Sequence, residues 1–182
     1  MNKQIKEITL AAMVLSLTCV LTLIQIPFIP SMGLSLDFSY VTLIIGRRYI
    51  GITKTLILCF IFPWFTLLST GTGSWPGAVF LLFQSIFVVI LDCVLFKEET
   101  TVAKIMWAVL FITIYSMFLN ALVVAPMWMT TWDGTWAEYY NNFFALDNAP
   151  LWMVISIIFN PVKFMIVYIA IYLLLPNLKK EI

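Results

Sequence analysis

Six apolar stretches, separated by short clusters of proline, glycine and charged residues, account for most of the chain. Their limits predict helices over about 7–28, 37–47, 50–69, 77–96, 104–127 and 151–175. An α-helix rises about 1.5 Å per residue, so crossing a hydrocarbon layer about 30 Å thick takes roughly 20 apolar residues. The second stretch falls short of that, unless the strand-like Leu34–Leu36 extends it. Pro27 and Pro30 close the first stretch, and the turn Ser31-Met32-Gly33 follows. Pro63 and Pro161 lie inside the third and sixth. There a missing N–H and a ring clash are expected to kink the helix and free carbonyls that need partners or a water-lined cavity. No internal repeat is visible.

Composition makes these helices membrane helices. The chain has 182 residues, 63% of them hydrophobic and 10% charged, against about 25% charged in soluble domains. It reads as an all-α integral membrane protein, a single domain over 1–182 with six transmembrane helices. Lipid is its expected surroundings. A net charge of +1 without a basic tract argues against nucleic acid as a partner. Lys3 and Lys6 precede the first stretch as in a signal peptide. The stretch outruns the about 7–15 residues of a signal core, and no small-x-small site closes it, so a retained helix is expected. Cys19, Cys59 and Cys93 each fall in an apolar segment without metal-like spacing and read as small packing residues.

Charge placement orients the helices. Under six crossings Lys3, Lys6, Arg47, Arg48, Lys54, Lys97, Lys104, Lys179 and Lys180 share one face, while Asp37, Asp133, Glu138 and Asp147 share the other. Cytoplasmic loops carry the excess of Lys and Arg, so both termini and the 2–3 and 4–5 connections are expected in the cytoplasm. The short second segment then counts as a crossing.

Lys163 breaks this pattern. It stands thirteen positions into the sixth stretch, in Phe159-Asn160-Pro161-Val162-Lys163. An ammonium near mid-membrane costs about 2.5–3.5 kcal/mol on insertion scales. Asn160, one turn away on the same face, points to a polar pocket between helices; the competing reading is a lysine snorkelling toward an interface. Trp75, Trp128, Trp132, Trp136, Tyr139, Tyr140, Phe143 and Phe144 crowd the opposite, outer face. They suit an interfacial belt or an aromatic lid on the long 5–6 connection, stacking over a planar ligand. Gly71-Thr72-Gly73-Ser74 offers a flexible outer gate.

Catalytic sets are missing. The chain has no histidine, which removes histidine triads, histidine relays and the usual zinc sites, and it has no nucleotide-binding or nucleophile-elbow motif. Neither an enzyme nor a self-powered pump is expected, and no metal or cofactor. Asp92 reads as a charge at a helix end near the interface, and no carboxylate falls clearly inside the pocket. Ala12-x-x-x-Ser16, near the cytoplasmic end of the first helix, has the small-xxx-small spacing that lets another helix approach closely.

These features together resemble the substrate-binding (S) components of energy-coupling factor (ECF) vitamin transporters of the bacterial plasma membrane, in layout over nearly the whole chain. Leu36-Asp37-Phe38-Ser39 resembles the start of helix 2 in the riboflavin-specific members. Asn120 before Pro126, and Phe159-Asn160-Pro161-Val162-Lys163, resemble their helix-5 asparagine and helix-6 Phe-Asn-x-x-Lys. The resemblance implies ligand contacts at Asn120, Asn160 and Lys163, and Asp37, Trp75 and Trp132 complete the candidate set. It implies riboflavin as transported substrate, not cofactor. It also implies docking through Ala12 and Ser16 to a membrane coupling subunit that works with two ATPase subunits. The sequence departs from the pattern at Ser16, at Tyr40 in place of a second acid, at Arg47-Arg48 in place of a Gly/Pro turn, and at Pro161. Another vitamin or precursor, such as folate or pantothenate, remains an alternative ligand. The rival classes are a small secondary transporter, which should carry an intramembrane acid or an inverted repeat, and a scaffold, which leaves Asn160 and Lys163 unexplained.

Overall fold

A computed structural model of the chain describes residues 3–24, 26–29, 34–68, 75–96, 101–124, 127 and 149–178. These form helices α1 (Lys3–Leu23), α2 (Ser39–Ile50), α3 (Ile52–Ile61), α4 (Trp75–Leu95), α5 (Val102–Leu119) and α6 (Ala149–Leu178). Between α1 and α2, strands β1 (Ile26–Ile29) and β2 (Leu34–Leu36) pair antiparallel, with Ile26 opposite Leu36 and Pro27 opposite Ser35.

The hairpin corrects the expected reach of the first helix. A residue before proline is pushed out of the helical region toward extended backbone, and Ile26-Pro27 therefore starts a strand. A two-stranded ribbon tolerates the proline because each strand is an edge. The second helix is also shifted. The Asp37 carboxylate accepts the Ser39 N–H at 2.7 Å and the Ser39 hydroxyl at 2.8 Å, which occupies a backbone donor left over at the start of α2. The helix then runs past Arg47, its expected last residue, through Arg48 to Ile50. It stops at Gly51, whose φ of 84° lies in the left-handed region that glycine enters without a Cβ clash. Gly51 alone separates α2 from α3.

The prolines act less uniformly than expected. Pro63 opens a 3-10 segment, Phe62–Leu68, in which the Thr66 hydroxyl donates to the Pro63 carbonyl at 2.6 Å. Pro161, by contrast, sits inside an unbroken α6. Trp75, expected in a loop, is the first residue of α4. Thr101 caps α5, its hydroxyl accepting from the Lys104 N–H, and the far end of α5 widens into a π-turn, Asn120–Val124.

Among the described residues four helices are long and apolar enough to cross a membrane: Gln4–Leu23, Trp75–Leu95, Val102–Val123 and Ile157–Leu175. Ile52–Leu68 is apolar but shorter. At 12 residues α2 is about 18 Å long, short of the length that crosses a hydrocarbon layer.

Two buried clusters hold the helices. Tyr40, Ile44, Val88, Ile112 and Phe164 belong to the cluster that joins α2, α4, α5 and α6. Leu43, Leu58, Cys59, Phe62 and Val89 form the second, against which α1 packs through Val14 and Leu15. The α1–α2 contact is close: a Cβ on Gly46 would stand 2.7 Å from Val14 Cγ1, and the Thr18 and Thr42 hydroxyls share a hydrogen bond of 2.7 Å. The rest of α1 turns outward, with Ile8, Met13, Leu17 and Val20 exposed.

Candidate functional site

Lys163 does not snorkel. Its side chain is buried, 8% exposed, together with Asn160 at 7% and Asp37 at 4%. All three are supplied by elements that meet at the N-terminal end of α2. The Lys163 Nζ stands over the Tyr40 ring, 5.2 Å from its centroid, where the negative face of the ring attracts a cation. Tyr40 is in turn set edge-on against Phe164, with centroids 5.2 Å apart. Asp37 lies near enough to act on Lys163 electrostatically, although no direct ion pair joins the two. Its oxygens are directed at Ser39 instead. A carboxylate at a helix N-terminus also meets the positive end of the helix dipole. Asp37, one of the candidate residues, is thus a buried carboxylate close to Lys163.

Asn120 is half-buried at the first residue of the π-turn. Such turns break the regular ladder and often mark functional positions. Trp75 is exposed at the start of α4. Trp132, the other outer aromatics expected to form a lid, and Gly71-Thr72-Gly73-Ser74 lie outside the described residues, as does Pro126. The structure thus groups Asp37, Asn160 and Lys163, and adds Tyr40, which the sequence reading treated only as a missing acid. The signal for Tyr40 was its position, three residues after Asp37 and so one turn along the helix expected over 37–47.

Two further polar residues escaped the sequence reading. Gln84 of α4 and Ser116 of α5 are buried, and Gln84 Nε2 donates to Ser116 Oγ at 2.7 Å. Gln84 interrupts a long apolar run just as Lys163 does, which was the available clue.

At the Lys-rich end the chemistry differs. Arg47 Nε donates to Asp92 Oδ2 at 2.6 Å, linking the ends of α2 and α4. Asp92 stands near the end of α4, as expected, and is fully buried there. Lys54 of α3 pairs with Glu7 of α1. Near that pair a groove of about 480 Å³ opens between α1 and α3, lined by Glu7, Ile8, Ala11, Ala12, Lys54 and Ile57 among others. Ala12 and Ser16 are both exposed and not used in packing within the chain, although the Ser16 hydroxyl donates to the Ala12 carbonyl at 2.9 Å. Among the described residues no group of three or more acidic, cysteine or histidine side chains is placed to hold a metal.

No family model matches the sequence, and none of the curated proteins matches it. A solved structure does: "Structure and mechanism of the S component of a bacterial ECF transporter", with a TM-score of 0.73 at 20% identity. The match covers 98% of this chain and 98% of that one. This chain shares the fold of that S component.

Proposed function

We propose that the chain is the substrate-binding subunit of an ECF-type vitamin importer in the bacterial plasma membrane. In this reading it crosses the membrane six times with both termini in the cytoplasm, and it binds riboflavin or a related flavin in the layer of Asp37, Asn120, Asn160 and Lys163. The observation that carries it is the buried Lys163, steadied by Tyr40 and Asp37 in a fold shared end to end with an S component. A lysine kept in that setting needs a ligand to justify its cost. Asn160 offers a donor and an acceptor and Lys163 three donors, which suits the carbonyl-and-imide edge of a flavin. Trp75 and Trp132 would meet its rings from the outer side. Asp37 already serves Ser39 and offsets Lys163, so the site favours a neutral or anionic ligand over a cationic one. The same donors suit other carbonyl-rich vitamins, folate and pantothenate among them.

Transport would then require partners. Ala12 and Ser16, exposed beside the groove between α1 and α3, suit close approach by a helix of a coupling subunit, which two ATPase subunits would drive. Two measurements test the reading. The purified protein is expected to carry a yellow, fluorescent ligand, or to bind added riboflavin. Vesicles containing this chain alone should bind the vitamin without concentrating it. Uphill accumulation by the chain alone would point instead to a secondary transporter.

A further inference from the structure

We propose that Gln84, anchored by Ser116, forms the α4–α5 wall of the same ligand site and accepts a hydrogen bond from an N–H or O–H group of the ligand. This deepens the proposed function and rests on it.

The placement follows from helix direction. The Arg47–Asp92 pair brings the ends of α2 and α4 together, so both run toward the Lys-rich end. α5 starts there, a few residues after α4 ends, and runs back. Phe96, just past α4, packs against Tyr168 in the later part of α6, with centroids 5.4 Å apart, so α6 also runs toward that end. Val88, Ile112 and Phe164 share one buried cluster with Tyr40. Residues four apart lie on one face of a helix, a turn apart. One turn farther from the Lys-rich end stand Gln84 on α4, Ser116 on α5 and Asn160 on α6, and α2 begins beside them at Ser39. Helix direction thus puts the bonded Gln84–Ser116 pair on the same side of the apolar cluster as Asn160, Lys163 and the start of α2, away from the Lys-rich end.

The hydrogen bonding of Gln84 leaves a specific vacancy. Ser116 Oγ lies 2.7 Å from the Ile112 carbonyl, which can only accept, so the hydroxyl spends its proton there. It can therefore only accept from Gln84, and the amide must turn its nitrogen toward it. That leaves Gln84 Oε1 buried without a donor, on a side chain 1% exposed. Buried polar atoms are nearly always satisfied; among the described residues Gln84 Oε1 is one of six that lack a protein partner, and the hydroxyl of Tyr40, beside Lys163, is another. A role as interhelical glue would use the amide N–H alone and does not account for the orphan oxygen. A ligand donor does. Flavins offer two kinds, the ring imide N–H and the hydroxyls of the ribityl chain, whereas Lys163 and its neighbours supply donors to ligand oxygens.

The test titrates wild-type protein and Gln84→Leu with riboflavin, 3-methylriboflavin, which lacks the ring N–H, and lumiflavin, which lacks the hydroxylated chain. Gln84→Leu is expected to weaken riboflavin about tenfold, because a ligand donor would be buried unpaired. The loss should largely vanish for whichever analogue lacks that donor. No loss, or equal losses for all three ligands, would overturn the assignment. If Gln84→Leu does not fold, Ser116→Ala removes only the anchor; riboflavin should weaken about threefold with the same dependence on the analogue, and unchanged binding would overturn the assignment. Wild-type protein that ignores all three flavins but binds folate or pantothenate breaks the flavin reading alone. Gln84→Leu is then read on that vitamin, where unchanged affinity overturns the role of Gln84. Wild-type protein that binds none of these compounds overturns both.

Discussion

α2 meets a buried opposite charge at each of its ends, and the two meetings are built differently. At the Lys-rich end Arg47 bonds Asp92 of α4 directly. At the other end Asp37 and Lys163 are near each other, yet the carboxylate is spent on Ser39 and the ammonium rests over the Tyr40 ring. A bonded pair has its donors consumed, and it ties two helices. A separated pair keeps its charge balanced while the ammonium still has protons to give. The first arrangement suits a staple and the second a receptor. Removing a residue should therefore cost stability at one end and recognition at the other.

The largest expected effect is at the staple. Arg47→Ala takes away the guanidinium bonded to buried Asp92 and leaves it only the nearby charge of Arg48; breaking a buried pair typically costs about 3–5 kcal/mol. Thermal unfolding of the protein in detergent should show a large drop. Replacing both residues with apolar ones should recover most of it, because the unbonded buried carboxylate is then gone. An Arg47→Ala protein as stable as wild type would end the contrast between the two regions.

Lys163→Ala comes next, and its signature is the reverse. Ligand affinity should fall by about 1.5–3 kcal/mol, the worth of a hydrogen bond to a charged group. Stability without ligand should hold or rise, since a costly buried ammonium has gone. A titration with unchanged affinity would refute the binding role, and a collapse in stability would make Lys163 a second staple.

The smallest effect on either property is expected from Ala12→Trp combined with Ser16→Trp. Both positions are exposed, so fold and ligand affinity should stay as they are while co-purification with a coupling subunit is lost. Joint loss of binding and assembly would mean that these residues support the fold, and retained assembly would remove them from the docking face.

Much of this was legible in the sequence because membrane burial makes polar residues conspicuous. Lys163 and Asn160 stood out on cost alone, and the charge pattern grouped the helix ends that the Arg47–Asp92 and Lys54–Glu7 pairs join. Leu34–Leu36 is strand-like in the sequence, whereas Ile26–Ile29 is as apolar as a helix, and only the residue-before-proline effect tells against one. The end of α2 is not legible at Arg47-Arg48, because a charged pair marks a helix end unless a buried acid on another helix, here Asp92, receives it. Ser116 is hard to single out because small polar residues are common in membrane helices; Gln84 interrupts an apolar run, and the paths of the hydrogen bonds then tie the two together.

The tight seam between α1 and α2 has a mechanical consequence. Gly46 against Val14 leaves no slack, and the Thr18–Thr42 bond pins the same seam one turn along. Any force applied to the outward flank of α1 must either shear that bond or drag α2 bodily. The leading tip of α2 carries Asp37, Ser39 and Tyr40. A tug on the lipid-facing helix is thereby felt at the lysine, and Gly46→Ala, which would wedge the two rods apart, is the substitution that should loosen the linkage between them.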